Sequence, residues 1–216
     1  MRGEAETRIH VDELVLRHPA LSPLAPEIRA ACALLIEAFA SGHKVLVCGN
    51  GGSAADADHI VGELMKGFVL KRELPPELRG RLVAQDAEMG GRLALSLQGA
   101  LPAIALTQHP ALSTAFANDA DSALAFAQQL LGFAVAGDVF WGISTSGNAM
   151  NVLHAAVTAR ALGLKVLGMT GQGGGALAKF CDICLAVPER ETYKVQELHL
   201  PVYHAICLTL EATFFS

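Results

Sequence analysis

The sequence is poor in charged residues and has no excess of positive charge, and each shortage excludes a class of protein. Only 17% of its 216 residues are charged while 52% are hydrophobic, so we expect one sizeable core and a single domain over residues 1–216. The 16 basic residues are outnumbered by 21 acidic ones, which leaves no broad positive surface for a nucleic acid. We therefore expect no nucleic-acid partner, and any anion site must be local.

We also expect no apolar segment that would direct the chain into or across a membrane. The first ten residues are polar, without the apolar core of a signal peptide, and no later run is expected to reach membrane-spanning length. The sequence thus predicts a cytoplasmic protein with no membrane partner.

Cysteine is scarce and is not arranged as a disulfide framework. The five cysteines are an odd number and are scattered along the chain, unlike those of a small secreted protein. Cys181 and Cys184 have C-x-x-C spacing, but a second pair is missing and the motif leads into an apolar stretch, which argues against a redox or zinc pair. We interpret all five as buried thiols: Cys32, Cys48, Cys181, Cys184 and Cys207.

Short apolar runs alternate with segments of helical periodicity. This alternation predicts a doubly wound α/β fold, in which a five-stranded parallel sheet lies between two layers of helices as in flavodoxin. The predicted strands cover residues 44–48, 103–107, 139–143, 165–170 and 183–187. The predicted helices cover residues 11–17, 26–41, 54–67, 122–136, 150–163 and 194–214, so that N-terminal helices occupy about 8–41. Residues 69–101 fit this scheme poorly and are interpreted as an insertion with a helix around 91–97.

A glycine-rich loop follows the first predicted strand and precedes a helix. Its sequence is Gly49-Asn50-Gly51-Gly52-Ser53, which presents backbone N–H groups and a hydroxyl at a helix N-terminus and therefore predicts an anion site. With Ala54 the loop also satisfies the dinucleotide pattern G-x-G-x-x-A. By itself it leaves open a phosphate site, a dinucleotide site and a plain tight turn.

A second polar loop follows the third predicted strand. Its sequence is Ser144-Thr145-Ser146-Gly147-Asn148, and hydroxyls and amides without a fixed positive charge suit a phosphate that anchors a substrate without being transferred. A nucleotide-hydrolysing G-K-[ST] motif is absent, and Ser146 stands where a serine-hydrolase elbow needs glycine. A simple helix-capping turn remains the alternative.

Two polar pairs occur on predicted helices. His59 and Glu63 are four residues apart and so project from one helix face, although such pairs are usually solvated. Gln196 and His204 are eight apart on the last helix, near His199 and Tyr203, where satisfied core or interface histidines are an equally good reading. If the two helices converge, their side chains can bind zinc or transfer protons beside a carbonyl.

Three motifs together resemble the sugar isomerase (SIS) domain family, and within it the phosphoheptose isomerases. They are G-N-G-G-S-A at 49–54, I-S-T-S-G-N at 143–148 and Q-E-L-H at 196–199. The resemblance runs from about residue 30 to the end, apart from 69–101. It implies an SIS-type fold, a zinc-containing homotetramer, and conversion of sedoheptulose 7-phosphate to D-glycero-D-manno-heptose 7-phosphate, the first step toward the heptose of bacterial surface polysaccharides.

The resemblance also implies roles for individual residues. Its proton-transfer pair falls on Glu63 and His204, through a cis-enediol. Its zinc ligands fall on His59, Glu63, Gln196 and His204. The substrate contacts that it implies are Asn50, Gly51, Gly52, Ser53, Asp119, Ser144, Thr145, Ser146, Asn148 and Gln196, with Asn50 and Asp119 at sugar hydroxyls and the hydroxyl loops at the phosphate.

The sequence departs from the family pattern at some positions, and two other functions are alternatives to isomerisation. Ala149 replaces a phosphate-loop serine, Gly67 stands near an expected arginine, and the insertion is long enough to form part of a lid. Some relatives of this fold are non-catalytic adaptors of a replication initiator or sugar-phosphate sensors, but those adaptors lack the carboxylate and final histidine present here. A dehydrogenase would need an acidic residue after the next strand, where Thr107-Gln108-His109 occurs instead.

Overall fold

The structure is a computed structural model that describes residues 2–216, with side chains from residue 9 onward. Met1, which the predicted domain includes, lies outside the described residues. Within the described range, the strands are β1 Val45–Cys48, β2 Ala103–Ala105, β3 Val139–Ser144, β4 Lys165–Thr170 and β5 Ile183–Ala186. The helices are α1 Arg2–Arg17, α2 Ala25–Ala40, α3 Gly52–Met65, α4 Pro76–Gln85, α5 Ala87–Ser96, α6 Pro110–Asp119, α7 Ala125–Phe133, α8 Met150–Ala161 and α9 Thr192–Phe215.

All strands of the described sheet are parallel, in the order β2-β1-β3-β4-β5. This confirms the doubly wound α/β fold. The chain winds from β1 to β2 on one side and then places β3 on the other side of β1, so its direction across the sheet reverses between β1 and β3. In such sheets, ligands bind beyond the carboxyl ends of the strands at this reversal. The two polar loops, which follow β1 and β3, therefore open into the same crevice.

Hydrophobic cores lie on both faces of the sheet, as the near-continuous apolar strands require. One core packs α1, α2, α3 and α9 against it, with Ile28, Leu35 and Trp141 among its buried side chains. The other packs α7 and α8, around Leu130 and Phe140. The five strands were predicted to within two residues because each is a short apolar run bounded by polar or glycine residues.

The cysteines only partly follow the prediction that all of them are buried. Cys32, Cys48 and Cys207 are buried, but Cys181 and Cys184 are half-buried. The prediction was wrong for this pair because β5 lies at an edge of the sheet, where only one neighbouring strand covers it.

One stretch among the described residues, Pro19–Ala40, has the length and mean hydropathy of a membrane span, contrary to the expectation that no run reaches this length. It consists of a 3₁₀ helix, Pro19–Leu24, followed by α2. Its side chains Ile28, Cys32 and Leu35 are fully buried in the core. An apolar helix of this kind is typical of the packed interior of an α/β protein as well as of a membrane.

The insertion forms a helical hairpin of α4 and α5 that packs mainly on itself. Asp86 begins α5 by accepting hydrogen bonds from the N–H groups of Glu88 (3.0 Å) and Met89 (2.6 Å). Gly90 permits the close crossing, because a Cβ there would lie 2.0 Å from the Leu82 carbonyl oxygen. Helix α4 was not predicted because it buries no residue and so lacks an apolar stripe.

A buried ion pair joins the end of α3 to α9. Arg72 donates to the carboxylate of Glu211 (2.8 Å) and to the carbonyl oxygens of Glu63 and Leu64 (both 2.7 Å). Glu211 also accepts the backbone N–H groups of residues 68–70, at 2.7–3.0 Å. Both side chains are fully buried. Arg72 thus satisfies carbonyl groups that the end of a helix leaves without partners.

We expect Arg72→Leu to lower the free energy of unfolding by about 3–5 kcal/mol, because it leaves the Glu211 carboxylate buried without its cation. The measurement is urea unfolding followed by circular dichroism. Arg79→Leu is the matched control at an exposed arginine 3.6 Å from Glu73, and should cost less than about 0.5 kcal/mol.

A double-mutant cycle with Glu211→Gln separates the energy of the ion pair from the packing energy of the Arg72 side chain. The double variant Arg72→Leu/Glu211→Gln should lose less stability than the sum of the two single variants, because the uncompensated charge is gone. Strict additivity of the two losses would mean that the charge pairing is not what Arg72 contributes.

Candidate functional site

The loop after β1 is held at the start of α3 by backbone conformation and by one amide pair. Gly51, at φ +55, precedes the first residue of the helix, and the Ser53 hydroxyl is almost completely buried beside it. The Asn50 amide exchanges two hydrogen bonds with the amide of Asn151 on α8, at 2.9 and 2.8 Å. Asn151 ties the two loops together, and nothing in its local sequence distinguished it from other helix residues.

The loop after β3 is shaped largely by its own polar groups. The Asn148 N–H donates to the Ser146 hydroxyl (3.2 Å), while the Asn148 amide donates to the Ser146 carbonyl (2.9 Å) and accepts from the Ala176 N–H (3.0 Å). The Ser144 hydroxyl is buried and faces the Ala149 N–H at 3.4 Å. The Asn148 side chain therefore supports the loop, whereas Thr145 and Ser146 remain accessible at its surface.

A glycine-rich segment after β4, residues 171–177, packs against this loop and donates hydrogen bonds to it. The Gly171 N–H donates to the Thr145 carbonyl and the Leu177 N–H donates to the Gly147 carbonyl, both at 2.9 Å. Gly147, at φ +66, is so close that a Cβ would lie 2.1 Å from the Gly174 carbonyl oxygen. The run of glycines at 173–175 was the available signal for this segment, but it was not recognised as part of the site.

Helices α3 and α9 run side by side in the same direction. Polar residues early in α9 therefore lie beside the start of α3, and later ones lie beside its C-terminal half. Gln196 lies against Gly52 at the start of α3, where a Cβ would be 2.2 Å from its amide nitrogen. Farther along, the His204 ring lies 5.0 Å from the His59 ring, centroid to centroid. The structure therefore brings His204 to His59 and Glu63, while Gln196 stays at the phosphate-loop end of α3.

Glu63 is a nearly buried carboxylate between two cationic or polar partners. One oxygen lies 3.2 Å from Nε2 of His59 and the other 3.3 Å from Nζ of Lys66, one helical turn farther along α3. The side chain is only 11% exposed, so its interactions are weakly screened. Lys66 was not among the expected site residues, since lysine is common on exposed helix surfaces.

A hydrogen-bonded chain orients His59. The Tyr203 hydroxyl donates to Asp56 (3.3 Å) and lies 2.9 Å from Nδ1 of His59. Burial, and next the charge of Asp56, raises the pKa of Tyr203, so the phenol stays protonated. The other ring nitrogen of His59, Nε2, lies 3.2 Å from the Glu63 carboxylate, so the contact with Tyr203 orients the imidazole toward Glu63.

His204 is held as a neutral imidazole. Burial, followed by the nearby His59, lowers the pKa of His204, and its Nε2 is buried without a hydrogen-bond partner among the described residues. It packs edge-on against Tyr203 and beside Phe68. It also lines a cavity of about 240 Å³ between α1 and α9. A neutral, unpaired imidazole of this kind can accept a proton or bind a metal ion.

Two expected or ambiguous residues lie outside this cluster. His199 is buried in the core, 3.2 Å from the Thr170 carbonyl, and burial lowers its pKa to about 4, so it ties α9 to the end of β4 as a neutral residue. Asp119 is exposed at the end of α6, where its carboxylate accepts a 2.9 Å hydrogen bond from Asn118. Across residues 9–216 no side-chain hydrogen bond or ion pair joins Asp119 to either loop.

The expected zinc ligands are gathered only in part. In the portion of the chain with described side chains, no group of three or more His, Cys, Asp or Glu residues is arranged to hold a metal ion. His59 and Glu63 are in contact and His204 is beside His59. Gln196 of α9 instead lies against Gly52, which is seven residues before His59 and so about 10 Å away along the axis of α3. The arrangement thus places the metal donors of His59, Glu63 and His204 near one another, without the fourth expected ligand.

Comparisons with known proteins agree with this architecture. The SIS domain model matches residues 16–88 and 83–171. A phosphoheptose isomerase from Crocosphaera subtropica is 42% identical over 178 residues, covering 82% of this chain and 78% of that protein.

Solved structures give the same result. A phosphoheptose isomerase from Francisella tularensis superposes with a TM-score of 0.74 at 31% identity, covering 90% of each chain. One from Neisseria gonorrhoeae gives a TM-score of 0.72 at 30% identity over 96% of this chain and 98% of that one. With its crevice between β1 and β3 and its carboxylate and imidazole on adjacent helices, the chain belongs to the SIS domain family, among the phosphoheptose isomerases.

Proposed function

We propose that this protein is a ketose–aldose isomerase that converts sedoheptulose 7-phosphate to D-glycero-D-manno-heptose 7-phosphate. The observation that carries the proposal is that Glu63 and His204, on two parallel helices that begin beside the polar loops, both lie next to His59. A carboxylate and a neutral imidazole beside an anion-binding crevice are the groups that proton transfer next to a carbonyl requires. A non-catalytic adaptor would have no use for this pair.

The crevice between β1 and β3 binds the phosphate. Its donors are the N–H groups at the start of α3 and the hydroxyls of Ser53, Thr145 and Ser146, with Gln196 beside Gly52. Ser144 and Asn148 act mainly by holding the loop in shape. Asn50, paired with Asn151, faces the sugar, and Asp119 at the end of α6 is the second residue proposed to contact its hydroxyls.

The length of the substrate follows from the spacing along α3. Ser53 and Glu63 are ten residues apart, about 15 Å along a helix axis. With phosphate at one end and the reacting carbons at the other, this separation favours a long open-chain sugar over a short one. Gly67 and Ala149, which depart from the family pattern, lie near the two ends and can adjust the fit of the sugar.

In the reaction, Glu63 removes the proton from C1 of the open-chain ketose. The electrons form a cis-enediol between C1 and C2, and Glu63 returns the proton to C2 to give the aldose. His204 moves the hydroxyl proton between the two oxygens, a role suited to its unpaired nitrogen and lowered pKa. Lys66, whose Nζ lies 3.3 Å from the Glu63 carboxylate, helps to hold that carboxylate in position.

We further propose that zinc is the cofactor and that His59, Glu63 and His204 are its ligands. The support is the 3.2 Å approach of Nε2 of His59 to the Glu63 carboxylate, which puts two metal donors side by side, and Nε2 of His204, which has no hydrogen-bond partner among the described residues. When bound, zinc would supply polarisation of the substrate carbonyl. Gln196, the fourth ligand implied by the family pattern, would have to leave Gly52 to join the set.

Self-association and a cytoplasmic location complete the proposal. The α4–α5 hairpin exposes large apolar side chains, among them Met89, Leu93 and Leu95, which supports burial against further copies of the chain in a homotetramer. The free thiols support a reducing compartment such as the cytoplasm.

Glu63→Gln should reduce kcat by about 10²–10⁴-fold while the protein remains folded, because the amide cannot remove the C1 proton. The measurement is aldose formation from sedoheptulose 7-phosphate by zinc-loaded protein. Glu77→Gln, at an exposed glutamate of α4, is the matched control and should retain full activity. A wild-type protein that is zinc-loaded and folded but has no turnover would instead favour another sugar phosphate or a non-catalytic role.

Gly52→Ala should raise KM for the sugar phosphate about tenfold with little loss of stability. The new methyl group must displace the flexible end of Gln196 from the phosphate crevice, which removes one polar contact. Gly62→Ala is the control in the same helix, since nothing lies within 4 Å of its Cβ position. Equal KM values for the two variants would show that Gln196 does not contact the substrate.

Tyr203→Phe should weaken zinc binding by roughly 10–100-fold, because it removes the hydrogen bond that orients His59. Zinc affinity is measured by competition with a chromophoric chelator, independently of turnover. Tyr193→Phe, at an exposed tyrosine at the start of α9, should bind zinc as the wild type does. The zinc assignment fails if the wild-type protein binds less than stoichiometric zinc or if both variants bind it equally.

A further inference from the structure

Two half-buried cysteines lie together on one face of the sheet, outside the proposed acid–base site. Cys181 ends the 3₁₀ helix Leu177–Phe180, and Cys184 lies in β5 directly opposite Gly168 of β4. A Cβ added to Gly168 would be 2.4 Å from Sγ of Cys181, and directly opposed residues project from the same face. The two thiols therefore lie close together over Gly168. A side chain at position 168 would occupy the space between them.

The pair also has the chemistry of a reactive dithiol. The adjacent Cys181 thiol lowers the pKa of Cys184 against the opposing effect of burial, and a contact with the Thr170 hydroxyl acts in the same direction. The interaction with Cys184, together with burial, raises the pKa of Cys181. By contrast, burial raises the pKa of the enclosed thiols Cys48 and Cys207. Cys184 is thus the expected nucleophile of the five.

The Cys181 sulfur is hydrogen-bonded to the glycine-rich segment that supports the phosphate loop, and the Cys184 sulfur lies beside that segment. Sγ of Cys181 donates to the Leu177 carbonyl (3.2 Å), and Sγ of Cys184 would lie 3.4 Å from a Cβ added to Gly174. In turn, the Leu177 N–H donates to the Gly147 carbonyl (2.9 Å). The adjacent Ala176 N–H donates to Asn148 (3.0 Å). A movement of the Cys181 sulfur is therefore transmitted to the loop through the backbone of Leu177.

We propose that Cys181 and Cys184 form an oxidation site that reacts with low-molecular-weight disulfides and weakens the phosphate loop when oxidised. The Cys184 thiolate attacks a disulfide RSSR, forming a Cys184–SR mixed disulfide and releasing RS⁻. Cys181 then loses its proton and attacks Sγ of Cys184, forming the Cys181–Cys184 disulfide and releasing the second RS⁻. Two protein thiols are oxidised and one external disulfide is reduced to two thiols.

The effect on the phosphate loop follows from which contacts the disulfide removes. Drawing the sulfurs together withdraws the Cys181 thiol proton from Leu177 and shifts Cys184 relative to Gly174. The segment that donates to Gly147 and Asn148 then loses its support. Only this consequence rests on the proposed function; the thiol chemistry does not.

The test treats the zinc-free full-length protein with excess oxidised glutathione and follows intact mass, peptide mapping and affinity for inorganic phosphate. We expect loss of two hydrogens, a mapped Cys181–Cys184 disulfide, and phosphate affinity reduced about fivefold or more, restored by dithiothreitol. The inference is overturned if the wild-type protein stays reduced or stops at a stable glutathione adduct. It is also overturned if the disulfide forms without change in phosphate affinity.

Single variants identify the order of attack. Cys181→Ser should trap a glutathione adduct on Cys184, whereas Cys184→Ser should not react, and both should keep the phosphate affinity of the reduced wild type. An adduct on Cys181 in Cys184→Ser, at a rate equal to that on Cys184, would contradict the assignment of the nucleophile. Absence of phosphate binding in the fully reduced protein would count against the proposed function, a result distinct from failure of the thiol reaction.

Discussion

The buried Arg72–Glu211 pair is the interaction on which the arrangement of the site most depends. Helix α3 carries Glu63 near its C-terminal end, and the carbonyl of that residue is one of the groups that Arg72 satisfies. Through Glu211 the same guanidinium is attached to α9 about two turns beyond His204. A charged pair is costly to bury, and it is tolerated here because both members have several directed hydrogen bonds. It sets the register of α3 against α9, and with it the separation of the carboxylate and the imidazole.

The second constraint is the reversal of the chain between β1 and β3. It brings together two loops that are about 90 residues apart in sequence, and Asn50 and Asn151 then join them directly. The glycine-rich segment after β4 packs against the loop that follows β3. Gly147 approaches Gly174 there too closely for a side chain at position 147. The phosphate end of the site is thus built from backbone held by the sheet, and the reacting end from side chains held by two helices.

Much of this could be predicted from local sequence. Each strand is a short apolar run with a clear boundary, and the helix following each polar loop has apolar residues at helical spacing, so the fold class followed from alternation alone. Helix α4 was missed because it packs mainly on α5 and has no buried residue. Gln196 was expected beside His59 and Glu63 from residue type, but the parallel course of α3 and α9 puts it against Gly52 instead.

By itself, the sequence determined the five strands and the helices other than α4 and α6, where backbone and hydroxyl donors gather, and which residue types are available for proton transfer. These properties depend on neighbouring residues and on periodicity, which are local. Only the tertiary structure decided that Tyr203 orients His59, that Asn151 joins the loops, that Arg72 holds α3 to α9, and that Cys181 and Cys184 meet above Gly168. Such contacts depend on the packing of elements far apart in the chain, and no local pattern specifies them.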